Sequence, residues 1–171
     1  MKKIEILIRK EVPEDHNPIA KINRLAFQTE ERPEPTEHIL VDRLREEEAL
    51  DVSLVAEIEG GIVGHIAFTQ VLVGGKNVGW FGLGPVAVLP GQQGKGIGAA
   101  LIEHGLDEIR GLGAQGCVLL GNPAYYGRFG FKADSRMVLE GVPSQYFQVL
   151  AFVEPIPEGV VTYHPLFFEL G

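Results

Sequence analysis

The chain has 171 residues, 45% hydrophobic and 22% charged, with a formal net charge of −8 at pH 7. That length and mixture suit one folded domain over 1–171 and exclude wholesale disorder. The acidic balance argues against nucleic-acid binding, which needs a basic face for phosphates, and leans toward cationic partners.

Met1-Lys2-Lys3 leads into alternating residues rather than an apolar stretch with a cleavage site, so no signal peptide is expected. No apolar run nears membrane-spanning length, and a cytoplasmic protein without a membrane partner is the expectation. Ile4 to Arg9 is rich in β-branched residues and reads as a first strand. From Ile19 to Phe27 apolar residues recur at three- and four-residue steps, predicting an amphipathic helix. Thr36 is placed to cap a second helix running through Leu40, Val41, Leu44 and Leu50. Ser53 to Ile58, Ile62 to Val73 and Val78 to Leu89 read as three strands. Gly60-Gly61 and Gly74 to Asn77 join them as hairpin turns, which gives an antiparallel meander.

After Pro90 the pattern changes. Gln92 to Gly98 is a glycine-rich loop, followed by a helix whose stripe includes Ile97, Leu101, Ile102, Leu106, Ile109 and Leu112. Cys117-Val118-Leu119-Leu120 reads as a buried strand, so the thiol is structural rather than nucleophilic. A single cysteine also excludes an intramolecular disulfide and a thiol-rich metal site, and no metal is expected. Val86 to Leu120 has the length of a strand–helix–strand crossover, which makes its two strands parallel. A short helix from Ala124 to Phe129 and strands near Phe131–Leu139 and Gln145–Val153 complete the reading. The fold class is α+β, a mixed sheet with helices on its faces.

The glycines at 94, 96 and 98 bare the main chain where it enters a helix. Backbone N–H groups there, backed by the helix dipole, suit a phosphate or pyrophosphate; a tight turn without a ligand is the plain alternative. The nucleotide-triphosphatase loop is excluded, because Gly94-Lys95-Gly96 lacks the hydroxyl that holds magnesium. The dinucleotide spacing is met formally. However, antiparallel strands come first and the following strand carries no acidic residue, which weakens a nicotinamide-dependent oxidoreductase.

Gln93-Gly94-Lys95-Gly96-Ile97-Gly98 resembles the Gln/Arg-x-x-Gly-x-Gly/Ala pattern of the GNAT acetyltransferase superfamily, and Leu83 to Pro90 resembles the strand before it. Tyr126-Gly127-Arg128-Phe129-Gly130-Phe131 resembles a second block of that family, and the order of elements agrees from Ile6 to about Phe152. The run Gly121 to Phe131 is similar to a subgroup of predicted bacterial N-acetyltransferases. The resemblance implies a GNAT-like fold in which the two parallel strands splay to form a notch. It implies acetyl-CoA as co-substrate, with the pyrophosphate on Gln93, Gly94, Lys95, Gly96, Ile97 and Gly98. The pantetheine arm would lie along Val86, Ala87 and Val88 like an added strand. The acceptor it implies is a primary amine of a small molecule, or a lysine or N-terminus of a protein.

By its place in the second block Tyr126 is the proton donor to the departing thiolate; on residue type alone, Tyr125, Tyr126, Phe129 and Phe131 form a packing cluster. Asn122 either contacts the coenzyme arm or caps the short helix. No carboxylate lies between Val78 and Leu89 to serve as base. His65 faces the cleft or packs in the core, and His164 is placed to close over the acceptor site. The acidic run from Glu30 to Glu48 reads chiefly as a solvated face, with a minority of its charges free to steer an amine. Leu166-Phe167-Phe168 fits a homodimer interface or the core alike. A non-catalytic acyl-CoA sensing module remains the alternative to the enzyme.

Overall fold

The computed structural model describes residues 5–170; the expected strand start at Ile4 and the leading Met1-Lys2-Lys3 lie outside them. Strand β1 (Leu7–Lys10) is followed by helices α1 (His16–Phe27) and α2 (Glu37–Glu46). Strands β2 (Val52–Ile58), β3 (Gly61–Gln70), β4 (Leu72–Val73) and β5 (Trp80–Val88) lead to helix α3 (Ile97–Gly111) and strand β6 (Gly116–Leu120). The short helix α4 (Pro123–Tyr126), strands β7 (Met137–Val138), β8 (Phe147–Ala151) and β9 (Gly159–Thr162), and helix α5 (Leu166–Leu170) complete the chain.

The main sheet has the order β1-β2-β3-β5-β6-β8, and β4, β9 and β7 form a smaller one. The meander expected from the hairpin signals is present, β2 on β3 and β3 on β5, both antiparallel. The crossover through α3 makes β5 and β6 parallel. On α3 the buried residues Ile97, Leu101, Ile102, Leu106 and Ile109 form a helical stripe against the sheet. Each fully buried aliphatic side chain of this kind contributes about 1.5–3 kcal/mol. Leu112 falls outside the stripe: the helix has ended there, and Leu112 is 61% exposed.

Two expectations are corrected by local hydrogen bonding. The strand over Phe131–Leu139 shrinks to β7 and an isolated bridge from Lys132 to Val149. Between them Asp134 Oδ1 accepts the Arg136 N–H at 3.0 Å, and the Asp134 carboxylate takes the Arg136 guanidinium at 2.8 Å, closing a turn. Those bonds hold the Asp134 carboxyl down at about 2. Thr36 stands at the N-cap of α2 without a side-chain cap bond, because its hydroxyl donates to the Leu170 carbonyl and ties the end of α5 to the start of α2.

The Leu166-Phe167-Phe168 run divides its roles. Leu166 packs on Leu40 and Leu44 in the core, Phe167 is half-buried, and Phe168 is 69% exposed. No described helix is long and apolar enough to cross a membrane.

Candidate active site

The site begins where two strands part. Strands β5 and β6 are paired only through Trp80↔Gly116, Phe81↔Cys117 and Gly82↔Val118. Beyond Gly82, β5 stays with β3, pairing Ile66↔Val86 and His65↔Ala87. Leu119 and Leu120 of β6 stay with β8, opposite Gln148 and Phe147. A notch therefore opens between the C-terminal halves of two parallel strands. Leu89 donates its N–H to Val63 of β3 at 2.9 Å, so by strand alternation the main-chain groups of Val86 and Val88 point the other way, into the notch. The side-chain amide of Gln93 reaches the Val88 carbonyl at 3.2 Å.

At one end of the notch the glycine loop enters α3. Gly94 and Gly96 both have φ of 82°, the left-handed region that L side chains rarely adopt, and Gly96 is the N-cap of α3 without a side-chain cap. The first N–H groups of α3 are thereby left open toward a cavity of about 570 Å³ lined by Gln93, Gly94, Gly96, Gly98, Tyr125 and Arg128. Arg128 places its guanidinium 5.5 Å from the Tyr125 ring, a cation beside the loop that composition alone does not single out. Lys95 bonds Gln92 Oε1 at 2.9 Å.

The other end is a cleft of about 330 Å³ whose floor is β5 from Leu83 to Val86. Leu120 and Tyr126 line it together with Phe27, Glu37, Leu40, Tyr163 and Phe167. Tyr126 is half-buried, edge-on to Tyr125 at 5.0 Å and to Phe131 at 6.2 Å. Burial, and secondarily Tyr125, pushes its hydroxyl above the ordinary tyrosine value, so it remains a proton donor at neutral pH. The packing and catalytic readings of this tyrosine are thus compatible: the aromatic cluster fixes a ring that also lines the cleft.

Other candidates are placed elsewhere. Asn122 caps α4, its Oδ1 accepting the Ala124 N–H at 2.9 Å. His65 is fully buried behind α1, with Nδ1 3.1 Å from Asn23 Nδ2 and Nε2 2.8 Å from Ser53 Oγ. Because the Asn23 amide donates to Nδ1, the imidazole proton sits on Nε2 and is given to Ser53, whose hydroxyl turns to Glu11. His164 Nδ1 accepts the Leu166 N–H at 3.1 Å, at the start of α5. Its neighbour Tyr163 is the residue that reaches the cleft. Cys117 is buried, and desolvation drives its thiol far above the range of a reactive thiolate.

Among the described residues Glu37 is the carboxylate on the cleft wall, and both its oxygens are taken by Arg32, each at 3.0 Å. In the sequence it was one of many acids between Glu30 and Glu48, and nothing in the spacing separated it from the rest. Several of those others form ion pairs on α2 and just beyond it: Arg45 with Asp42, and Arg43 with Glu46 and Glu47. No cluster of three or more metal-ligating side chains occurs among the described residues.

Residues 8–133 match the sequence profile described as the Acetyltransferase (GNAT) domain. The uncharacterized N-acetyltransferase YhbS of Escherichia coli strain K12 is 36% identical over 170 residues, which is 95% of this chain and 98% of that protein. A GNAT family acetyltransferase from Brucella melitensis, solved in complex with acetyl-CoA, is 48% identical with a TM-score of 0.82, covering 95% of this chain and 98% of that one. YhbS from Escherichia coli, solved in complex with CoA, reaches a TM-score of 0.91 at 32% identity, covering 100% of this chain and 96% of that one.

Proposed function

Because the chain belongs to the GNAT acetyltransferase family, we propose that it moves the acetyl group of acetyl-CoA onto a primary amine, in the cytoplasm. The observation that carries this reading is the divergence of β5 and β6 beyond Gly82, with the uncapped start of α3 at one end and Tyr126 on the wall at the other.

In this reading the pyrophosphate takes the N–H groups from Gln93 to Gly98, and the α3 dipole adds to their attraction. Arg128, on the rim of that cavity, supplies a counter-charge. The pantetheine arm pairs with the outward main-chain groups of Val86 and Val88, which sets the thioester against the cleft. The structures with acetyl-CoA or CoA bound, at 48% and 32% identity, support a donor of this kind.

The neutral amine attacks the acyl carbon; the new C–N bond forms as the C–S bond breaks. Tyr126 gives its hydroxyl proton to the departing thiolate. The nitrogen releases its surplus proton to solvent, and Tyr126 recovers one from there, so each turnover consumes a neutral amine and yields an amide and a free thiol. Asn122 is engaged as a helix cap, so its part is to hold α4 and thereby the ring of Tyr126.

The test is calorimetry of the purified protein with acetyl-CoA, NAD and ATP, followed by thiol release across a panel of primary amines. Binding confined to acetyl-CoA, with thiol release dependent on an amine, is the expected result. Binding without release across the panel would leave a coenzyme-binding module. Absence of acetyl-CoA binding in folded protein would overturn the donor site.

A further inference from the structure

A cavity of about 270 Å³ lies where β1 ends, β2 begins and α3 ends. It shares no lining residue with the glycine-loop cavity or with the cleft. Helix α3 is 15 residues long, so about 20 Å separates the glycine loop at its start from this cavity at its end.

Most of the charge around the cavity is already paired. Glu11 takes the Arg45 guanidinium through both oxygens, at 2.8 and 2.9 Å. Lys10 Nζ stands 3.7 Å from Glu108 Oε2, which joins the end of β1 to the last turn of α3. Asp51 is the exception. Its Oδ2 accepts the Gln70 N–H at 2.7 Å, and among the described residues no cation pairs with it. Asp51 is also exposed, so a solute entering the cavity can reach it. One negative charge is therefore left over, and the C-terminal end of α3 adds the negative pole of its dipole.

The remaining surface is apolar. Leu50 and Val52 line the cavity, and so does Leu112, the largely exposed leucine that falls outside the α3 stripe. An apolar group laid on it would remove hydrocarbon from water on both sides of the contact. An anion would meet an uncompensated carboxylate here, and a bare metal ion would leave the leucines uncovered. The volume lies just below the range of small-molecule sites, about 300–1,000 Å³, so the occupant is small.

We propose that this cavity is a second ligand site, which takes a small organic ammonium with an aliphatic body. The nitrogen donates to Asp51, and the hydrocarbon lies on Leu50, Val52 and Leu112. The site is separate from acetyl transfer, and the inference does not rest on the transferase reading.

The test is a titration of the full chain followed by backbone amide NMR. The probes are 3-methylbutylamine, methylamine and 4-methylpentanoate, which vary the body and the charge separately. 3-Methylbutylamine is expected to shift the amides of Asp51, Val52 and Leu112, and to bind at least about tenfold more tightly than either other probe. Asp51→Asn keeps a carbonyl for the Gln70 N–H but loses the charge, so affinity read at those amides should fall by about tenfold or more. Leu112→Ser, at an exposed position that the fold tolerates, should weaken it by at least about threefold. In both variants kcat/KM for any accepted amine should stay at the wild-type value. No shift at those three amides, or shifts confined to cleft residues such as Leu120 and Tyr126, overturns the site. An equal response to 4-methylpentanoate, or wild-type affinity in Asp51→Asn, overturns the ammonium. An equal response to methylamine, or wild-type affinity in Leu112→Ser, overturns the aliphatic body.

Discussion

The ring of Tyr126 lies directly over the α-carbon of Gly121, so a Cβ at position 121 would collide with it. Gly121 follows the last residue of β6 and precedes the Asn122 cap of α4, so this contact sets how the Tyr126 helix leaves the sheet. Gly121→Ala is expected to push the ring out of the cleft, at a cost of about 1–3 kcal/mol in stability from overpacking. Misplacing a catalytic group by about 1 Å costs up to about a hundredfold in rate, so kcat should fall by about ten- to a hundredfold. Acetyl-CoA affinity, measured by calorimetry, should stay near wild type because the glycine loop is untouched. An unchanged kcat would show that the ring position is immaterial.

Removing the Tyr126 hydroxyl isolates its chemistry from its packing. The ring contacts with Tyr125, Phe129 and Phe131 survive in Tyr126→Phe, so the variant should fold and bind acetyl-CoA. Loss of a general acid typically costs about 10²–10⁴ in rate, and kcat for any accepted amine should drop by at least about a hundredfold. Since burial raises the Tyr126 hydroxyl above the ordinary value of 10.0, wild-type kcat should show no loss of a proton donor up to that pH. Full activity of the variant would remove Tyr126 from the mechanism.

The central elements were legible because each signal was local. The stripe from Ile97 to Ile109 and the two hairpin turns needed no partner to be read, and the crossover length implied the parallel pair. The site residues of the loop and of the Tyr126 block were legible through a family pattern as much as through physics. Strand β9 and helix α5 were not, since Val160 and Val161 follow a stretch with Pro155 and Pro157 and only pair through β4 and β7. Consequently Tyr163, brought to the notch by that strand, passed unread while His164 beside it drew attention. Glu37 was hidden for a different reason: only the fold distinguishes one acid on the cleft wall from its neighbours on the solvent side.

At the loop, Gly96→Asp combines two faults. The residue has φ of 82°, where any L side chain is strained, and the carboxylate would sit at the N-cap of α3 facing the anion site. A Cβ there meets no heavy atom within 4 Å, so the fold itself should tolerate the change. Acetyl-CoA binding by calorimetry should weaken by at least about a hundredfold, equivalent to about 2.7 kcal/mol. Affinity equal to wild type would mean that the loop does not hold the coenzyme.

The buried network behind α1 predicts an acid sensitivity separable from catalysis. Desolvation lowers the His65 pKa from 6.5 to about 4, with Glu11 raising it and Arg45 lowering it in smaller measure. The unfolded chain therefore binds a proton at this site between about pH 6.5 and 4 while the folded chain does not, so stability is full above that window and declines as pH falls through it. The difference amounts to about 3 kcal/mol. The carboxylates of Glu11 and Asp15 have lowered values, and their own losses belong to more acidic conditions. Urea unfolding at pH 7.5 and pH 5 should show a clear drop in midpoint for wild type, and a smaller one for His65→Gln, which has nothing to titrate there. An equal drop in both proteins would mean that His65 is already charged in the fold. That outcome would require the Asn23 amide to present its oxygen to Nδ1, the reverse of the arrangement in which Asn23 Nδ2 serves both His65 and the Ile19 carbonyl.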